Sequence, residues 1–310
     1  MKILITSKSF GKYDPKARHS LQEAGFELID NPYSHIMDET EFSNAIKNID
    51  CIILGTEILN QQVLKNANQL KFVSRYGVGI DNMDLNEMQK RNIKYATTPN
   101  CNNRAVADYT IGLIIDALRG ISYSSRKLAN GQWEKVVGLD LYKKTVGIIG
   151  LGAIGKEVAK RLSGFTCNIL GYDIFYNDDV CKKLNIKISS LEEIYYKSDI
   201  ITLHIPALPD DKFLIGSREI ANMKDGVVII NTARASLINM KDLLEGIKEG
   251  KIFAAASDAQ LNLNQISNEY VNADKLILTP HNGAVSIEAS RKMSDLAAIN
   301  ILNHFQIEHR

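Results

Sequence analysis

The sequence predicts an α/β protein built on parallel β-sheets, with enough length for two domains. Short apolar stretches alternate along the chain with segments whose apolar residues recur at helical spacing, and this alternation is typical of βαβ units. At 310 residues the chain is long for one domain and comfortable for two. A glycine-rich turn lies between an apolar stretch and a helical segment, as the first crossover of a doubly wound sheet requires.

The first third of the chain is predicted to hold four strands. Each is short, apolar and followed by turn residues; Pro99 closes the last one. A helix is predicted over 16–28, with Gly25 as a stop signal, and a longer helix over 103–120, ending at Gly120 with Arg119 in its last turn. The strands are KILIT (2–6), CIILG (51–55), LKFVSRYG (70–77) and IKYATT (93–98).

A second series of strands follows the long helix. These stretches are nearly all apolar, which is typical of strands covered on both faces of a parallel sheet. Helices are predicted between them over 154–164, 216–223 and 240–249. The strands are TVGIIG (145–150), NILGYD (168–173), DIITLH (199–204), VVIIN (227–231), FAAAS (253–257) and LILT (276–279).

Composition excludes several classes of function. The 37 basic and 36 acidic residues give a formal charge of +1, which offers no electrostatic attraction to nucleic acid or an anionic membrane. The four cysteines lack paired or metal-ligand spacing, so we expect reduced thiols and no metal. The N-terminal apolar run is too short for a signal peptide, and no stretch approaches the ~18 apolar residues of a membrane helix. We therefore expect a cytoplasmic protein.

The motif IIGLGAIG is the most informative stretch. Gly150 permits a tight turn, Gly152 lets the backbone approach a pyrophosphate, and Gly155 packs the helix against the strand. The helix N-terminus then offers free N–H groups to that pyrophosphate. Asp173 ends the next strand, where a carboxylate can accept the ribose hydroxyls, and no basic residue follows it to receive a 2′-phosphate. The pattern favours NAD over NADP.

Three charged or polar residues follow late strands at the same edge. Arg234 comes after VVIIN, Asp258 after FAAAS and His281 after LILT. The carboxyl ends of parallel strands surround the crevice in which α/β proteins bind ligands. A guanidinium there can hold a carboxylate by two parallel hydrogen bonds, and buried charges are costly without a ligand or partner.

In these blocks the chain resembles the NAD-dependent D-2-hydroxyacid dehydrogenases, most closely their 3-phosphoglycerate dehydrogenase branch. The similarity covers nearly the whole length, in the family's order. It is carried by RYGVGIDNMDL, TPNCNNRAVADYT, NGQWEKVVGLDLYKKTVGIIGLGAIGKEVA, INTARAS and TPHNGA.

The resemblance implies two Rossmann-like or flavodoxin-like parallel-sheet domains. The NAD-binding domain (98–285) is inserted in a discontinuous substrate domain (1–97 and 286–310), and the chain forms a homodimer. The implied activity is that of an oxidoreductase acting on CH–OH groups, which interconverts a small anionic 2-hydroxy acid and its 2-oxo acid.

The resemblance also assigns site residues. Arg234 would bind the carboxylate and carbonyl of the 2-oxo acid, and His281 would protonate the carbonyl oxygen. Asp258 would hold the nicotinamide end. The substrate loop would contain Arg75, Val78 and Gly79. The other implied cofactor contacts are Ala153, Ile154, Thr98, Ile205, Thr232, Ala233 and Gly283, beside the three motif glycines and Asp173.

One residue of the family pattern is absent. A glutamate normally follows the aspartate by five positions and hydrogen-bonds the catalytic histidine, but here Leu263 occupies that place. Three hypotheses follow. Another group orients His281, such as Gln260, Asn262 or Glu269; the loop is remodelled around an unusual 2-oxo acid; or the chain is an NAD(H)-binding sensor or scaffold with weak or no catalysis.

The sequence leaves the substrate open. Arg75 and Arg104 could both face a phosphate or another distal anion, which suits 3-phosphoglycerate and 3-phosphohydroxypyruvate and also other anionic 2-hydroxy acids. A solvated arginine at the start of a helix explains Arg104 equally well.

Overall fold

The computed structural model describes residues 1–209, 212–259 and 274–307. The chain divides into two compact units: unit 1 comprises Met1–Asn102 and Val285–Arg310, and unit 2 comprises Asn103–Ala284.

The helices and strands of the described residues alternate along the chain. In order they are β1 (Lys2–Ile5), α1 (Lys16–Glu23), β2 (Glu27–Asp30), α2 (Glu39–Ala45), β3 (Cys51–Leu54), α3 (Gln61–Leu64), β4 (Phe72–Arg75), α4 (Leu85–Lys90), β5 (Lys94–Ala96), α5 (Asn103–Arg119), α6 (Ile121–Ala129), β6 (Thr145–Ile149), α7 (Ala153–Leu162), β7 (Asn168–Tyr172), α8 (Asp178–Lys183), β8 (Ile186–Ile188), α9 (Leu191–Lys197), β9 (Ile200–Leu203), α10 (Ser217–Ala221), β10 (Val227–Asn231), α11 (Met240–Lys248), β11 (Ile252–Ser257), β12 (Leu276–Leu278) and α12 (Ile287–His304).

Unit 1 is built on a five-stranded parallel sheet in the order β2-β1-β3-β4-β5. The predicted stop at Gly25 is confirmed, since α1 ends at Glu23, whereas the predicted continuation of the helix to residue 28 is wrong. Gly25 has φ +83°, a left-handed conformation that ends helices, and Glu27 then pairs with Lys2 as the first residue of β2. This edge strand has no fully buried side chain, so its sequence ELID carries little strand signal.

Unit 2 is built on a seven-stranded parallel sheet in the order β12-β11-β10-β9-β6-β7-β8. Successive residues of its strands face opposite sides, so β10 sends Val228 and Ile230 into one hydrophobic cluster and Val227 and Ile229 into the other. The prediction of two parallel-sheet α/β domains is confirmed. Both faces of this sheet are covered, which explains its continuous apolar strands.

Most predicted elements of unit 2 are confirmed. The long helix ends at Arg119, because Gly120 takes φ +60°, and α7, α10 and α11 lie where helices were predicted. Strand β8 and the short helices α6, α8 and α9 were not predicted from the sequence. No described helix is both long and apolar enough to cross a membrane.

Candidate functional site

The candidate residues of unit 2 lie at one edge of its sheet. All seven strands run in parallel, so the segments that follow β6, β7, β9, β10, β11 and β12 emerge at the same carboxyl edge. The structure therefore brings together the glycine turn, Asp173, Ile205, the loop around Arg234, and the Asp258–His281 pair.

The glycine turn after β6 has room only for hydrogen at two positions. Gly150 has φ +104°, and a Cβ there would lie 2.4 Å from the carbonyl oxygen of His204. A Cβ on Gly155 would lie 1.9 Å from the carbonyl oxygen of Gly150, so α7 packs directly on the turn. Gly152, in contrast, has nothing within 4 Å of its Cβ position and leaves open space beside the helix N-terminus.

The N-terminus of α7 has no side-chain cap. Gly152 occupies the N-cap position, and Ala153 and Ile154 begin the helix. The first N–H groups of a helix lack partners within the helix and carry a partial positive charge. This end of α7 can therefore receive an anion such as a pyrophosphate.

Asp173 is fixed against the glycine turn. Its Oδ2 accepts a hydrogen bond from the amide of Leu151 at 2.6 Å, and its Oδ1 accepts one from the amide of Phe175 at 3.2 Å. A carboxylate has about four acceptor positions, so two hydroxyl donors can still be accommodated. The carboxylate thus stands at a set distance from the turn, as a ribose-binding group must.

The loop after β10 is organised by Asn231, a buried residue that the sequence analysis did not single out. Its Oδ1 accepts a hydrogen bond from the amide of Ala233 at 3.0 Å, and its Nδ2 donates one to the carbonyl of Arg234 at 2.8 Å. Arg234 itself is half-buried, and its Nη1 donates to the carbonyl of Ala233 at 3.0 Å. Asn231 therefore sets the backbone from which the guanidinium extends.

A second overlooked group joins this loop to β9 and α5. The Thr232 hydroxyl lies 3.0 Å from Thr110 Oγ1 and 3.5 Å from His204 Nδ1, while His204 Nε2 lies 3.0 Å from Thr202 Oγ1. Burial lowers the pKa of His204 to about 3, so this ring is neutral at physiological pH. The group holds Thr232 in place without a charge.

Asp258 organises the turn that carries His281. Only 3% of Asp258 is exposed. Its Oδ1 accepts hydrogen bonds from Thr279 Oγ1 at 2.6 Å and from the amide of Asn282 at 2.8 Å, and its Oδ2 accepts one from the amide of Gly283 at 2.7 Å. A Cβ on Gly283 would lie 2.9 Å from Oδ2, so the close approach depends on glycine there.

His281 lies in this turn with φ +56°. A left-handed conformation costs a non-glycine residue about 1–2 kcal/mol, so the Asp258 bonds must offset it. His281 Nδ1 lies 3.1 Å from the backbone carbonyl oxygen of Asp258. Asp258 thus positions His281 twice, through its carboxylate and through its main chain.

Arg75, Val78 and Gly79 lie in unit 1, at the carboxyl edge of its own sheet. Gly77 fixes their loop by exchanging hydrogen bonds with Thr98: its amide donates to Thr98 Oγ1 at 2.8 Å, and its carbonyl accepts from the Thr98 amide at 2.9 Å. Val78 is 48% exposed. Among the described residues, none accepts a hydrogen bond from the amide of Val78 or of Gly79.

Arg104 is an exposed residue in the first turn of α5, in unit 2. Its carbonyl accepts a hydrogen bond from Arg161 Nη2 at 3.4 Å. Arg161 lowers the pKa of Glu157 by hydrogen bonding, and the charge of Arg104 adds a smaller lowering. Arg104 therefore lies beside an ion cluster on α5 and α7, and its role in substrate binding stays a prediction.

The sequence of residues 111–283 matches the model of a known family, described as "D-isomer specific 2-hydroxyacid dehydrogenase, NAD binding domain". The match spans more than half of the chain. The chain belongs to the D-isomer specific 2-hydroxyacid dehydrogenase family. The resemblance found in the sequence motifs is thereby confirmed.

Individual members of the family are similar over most of this chain. The chain is 36% identical over 270 residues to the D-3-phosphoglycerate dehydrogenase of Methanocaldococcus jannaschii, covering 86% of this chain and 51% of that protein. It is 31% identical over 299 residues to the glyoxylate reductase of Pyrococcus horikoshii, covering 91% and 90%. A glyoxylate reductase structure from Paecilomyes thermophila has a TM-score of 0.84 at 26% identity, covering 99% of this chain and 95% of that one. The chain thus spans about half the length of the M. jannaschii relative.

The residues of the D-isomer specific 2-hydroxyacid dehydrogenase domain fit a dinucleotide. NAD is the cofactor of this domain family. The open space at Gly152, the uncapped start of α7 and the fixed carboxylate of Asp173 are the features that a pyrophosphate and an adenosine ribose require. Ile205 packs against the same glycine turn: its Cγ2 would lie only 2.9 Å from a Cβ on Gly150.

Leu263 and the residues considered in its place, Gln260, Asn262 and Glu269, lie outside the described residues. Among the described residues, His281 Nδ1 contacts the backbone carbonyl of Asp258. Every residue type has such a carbonyl, so this contact could not be predicted from the sequence. Thr279 could have been found, because it is a hydroxyl directly after the last strand.

Proposed function

We propose that this chain catalyses the NAD-dependent interconversion of a D-2-hydroxy acid and its 2-oxo acid. Membership of the family supports the reaction type. The observation that carries the proposal is the pairing of His281 Nδ1 with the carbonyl oxygen of Asp258, inside a turn that the Asp258 carboxylate holds.

This pairing supports Nε2 of His281 as the ring nitrogen that moves a proton. A carbonyl oxygen only accepts hydrogen bonds, so Nδ1 carries a hydrogen and donates it to Asp258. Nε2 is then the nitrogen that exchanges a proton with a substrate. It protonates the carbonyl oxygen when a 2-oxo acid is reduced, and it accepts the hydroxyl proton in the reverse direction. When bound, the nicotinamide supplies or accepts the hydride.

The other residues of the site bind and orient. Arg234 has a backbone fixed by Asn231, and its planar guanidinium suits a carboxylate and the adjacent carbonyl. Asp258 would hold the nicotinamide end, because its buried carboxylate can accept one hydrogen bond beyond the three from the turn. In unit 1, the amides of Val78 and Gly79 supply N–H donors for the substrate carboxylate.

The substrate belongs to the anionic 2-hydroxy and 2-oxo acids. The relatives are named for phosphoglycerate, glyoxylate and hydroxypyruvate, which share a 2-oxo or 2-hydroxy carboxylate and differ at the third carbon. We include 3-phosphoglycerate and 3-phosphohydroxypyruvate among the candidates.

We also propose that the chain forms a homodimer through α6 and the segment that follows it. None of the α6 residues is buried, although Ile121 and Leu128 are apolar. In the next segment Trp133 is 85% exposed and Val137 is 91% exposed. Several large apolar side chains are therefore exposed within one short stretch of the chain, which favours an interaction site there. Sedimentation of the wild type and of Val137→Asp tests it: a dimer that the substitution dissociates is expected, and a wild-type monomer contradicts it.

The activity is tested by NADH consumption across glyoxylate, hydroxypyruvate, 3-phosphohydroxypyruvate and pyruvate. We expect turnover of at least one acid, and a loss of about 10²-fold or more in Arg234→Ala. The control is NADH affinity, measured by fluorescence, which Arg234→Ala should keep.

The alternative function is that of an NAD(H)-binding sensor or scaffold. It predicts normal NADH affinity without turnover of any acid. The described Nδ1 contact of His281 favours the enzyme, because a ring with one nitrogen already oriented is prepared for proton transfer.

A further inference from the structure

In unit 1, hydrogen bonds from polar side chains connect the carboxyl ends of the neighbouring strands β1, β3 and β4. The Thr6 hydroxyl, after β1, accepts a hydrogen bond from the amide of Gly55, after β3, at 2.7 Å. Asn82 Nδ2 donates to the carbonyls of Gly55 at 3.2 Å and of Glu57 at 2.7 Å. The segment 54–57 is therefore held by side chains from both sides.

Arg75, the last residue of β4, takes part in the same arrangement. Its Nε donates to the carbonyl of Gly79 at 2.8 Å, and its Nη1 donates to the carbonyls of Tyr76 at 2.7 Å and Leu54 at 3.2 Å. The guanidinium thus closes the loop 75–79 on itself and joins it to the end of β3.

Gly77 makes this position of the guanidinium possible. A Cβ on Gly77 would lie 3.0 Å from Arg75 Nη1 and 3.3 Å from Nη2, and the φ of +145° also favours glycine. Both terminal nitrogens of Arg75 therefore lie against the inner side of its own loop.

A buried carboxyl group lies within range of this charge. Glu57 is 2% exposed and accepts a hydrogen bond from Thr6 Oγ1 at 2.5 Å. The pKa of Glu57 is raised, because burial outweighs the hydrogen bonds and the charge of Arg75 that lower it. The charge of Arg75 is the smallest of these influences, so it stabilises the carboxylate form of Glu57 only weakly.

We propose that Arg75 is a positioning residue, which shapes the 75–79 loop by bridging three backbone carbonyls and does not bind a distal anion of the substrate. The inference rests on the proposed function for what the loop receives, namely the carboxylate that every 2-oxo acid carries. Arg75 then contributes equally to all acids and gives no preference for a phosphorylated one.

The test compares Arg75→Lys and Arg75→Met with the wild type, using kcat/KM for glyoxylate, hydroxypyruvate and 3-phosphohydroxypyruvate. The ammonium of Arg75→Lys keeps the charge but cannot reach three carbonyls as a planar guanidinium does, and Arg75→Met has no donor at all. Both variants should therefore lose about 10²-fold in kcat/KM on every acid, with the ratios between acids unchanged. Asn82→Asp removes the donors to segment 54–57 and should give the same uniform loss. A loss confined to 3-phosphohydroxypyruvate, with activity kept in Arg75→Lys, would overturn the proposal.

Hydrogen–deuterium exchange separates this proposal from the proposed function. The hydrogen-bonded amides of this loop and the residues after it, those of Tyr76, Gly77 and Met83, should exchange faster in Arg75→Lys and Arg75→Met, while those of β1 and β3 stay protected. Arg91→Met is the control, since Arg91 is another arginine of unit 1 whose guanidinium donates to a backbone carbonyl, that of Leu64 at 2.9 Å. Arg91→Met should leave the exchange of the Tyr76, Gly77 and Met83 amides unchanged. If the wild type turns over no acid, the proposed function fails, and unchanged exchange in both Arg75 variants would still refute positioning.

Discussion

The turn that carries His281 should depend on a single hydroxyl group. Thr279 Oγ1 donates to Asp258 Oδ1 at 2.6 Å, and Asp258 is buried and also holds the amides of Asn282 and Gly283. Thr279→Val replaces this hydroxyl by a methyl group of nearly the same size. The carboxylate then keeps its charge and loses one of its three described donors.

The expected magnitude follows from the type of bond. A hydrogen bond to a charged group contributes about 1.5–3 kcal/mol, and 1.4 kcal/mol corresponds to a factor of about ten. If the loss loosens only the turn, kcat/KM should fall by about 10- to 100-fold. NADH affinity should fall less than kcat/KM, because the turn of Gly150 and the carboxylate of Asp173 are untouched and Asp258 keeps its charge at the nicotinamide end.

The assay is steady-state reduction of the best 2-oxo acid, with NADH affinity measured by fluorescence. Thr279→Ser is the matched control: it keeps the hydroxyl and should retain most of the activity. A Thr279→Val protein as active as the wild type would contradict this role of the hydroxyl, and so would a Thr279→Ser protein that loses as much activity as Thr279→Val.

Three further outcomes are expected. Gly155→Ala should abolish measurable NADH binding, because its Cβ would lie 1.9 Å from the carbonyl oxygen of Gly150; retained affinity would show that α7 can shift. Asp173→Ala should weaken NADH binding by more than about tenfold and narrow the preference over NADPH, as measured by the two dissociation constants; an unchanged preference would contradict the ribose-binding role. The pKa of His204 is lowered from 6.5 to about 3, so between these pH values the unfolded chain binds a proton that the folded protein does not. The free energy of unfolding therefore keeps its full value above pH 6.5 and falls by about 1.4 kcal/mol per pH unit as the pH drops toward 3. The melting temperature of His204→Gln should therefore fall less than that of the wild type between pH 6.5 and 4, and parallel curves would contradict it.

The strand-and-turn pattern of unit 2 could be predicted because burial on both faces leaves a clear record in the sequence. Val228 and Ile229 face opposite clusters, so the strand is apolar throughout, and the glycines of the turn are required by backbone geometry. The edge strand β2 could not be predicted, because its residues are only partly buried and pairing with β1 decides its conformation.

The site residues divide in the same way. Arg234, Asp258 and His281 could be predicted to share one edge of the sheet, because residues directly after parallel strands fall at the ligand-binding edge; their roles stay predictions. The partner of His281 Nδ1 is a main-chain carbonyl, which no residue type reveals. The contacts of Arg75 with backbone carbonyls could not be predicted either, since a sequence shows that an arginine is present but not where its guanidinium points.

The most direct test of the central claim compares wild type and His281→Gln in the reduction of the best 2-oxo acid. A glutamine can hydrogen-bond the substrate but cannot deliver a proton. We expect kcat to fall by about 10²- to 10⁴-fold while the dissociation constant of NADH stays within about twofold. A His281→Gln protein that keeps turning over the acid at the wild-type rate would contradict the assignment of His281 as the proton donor.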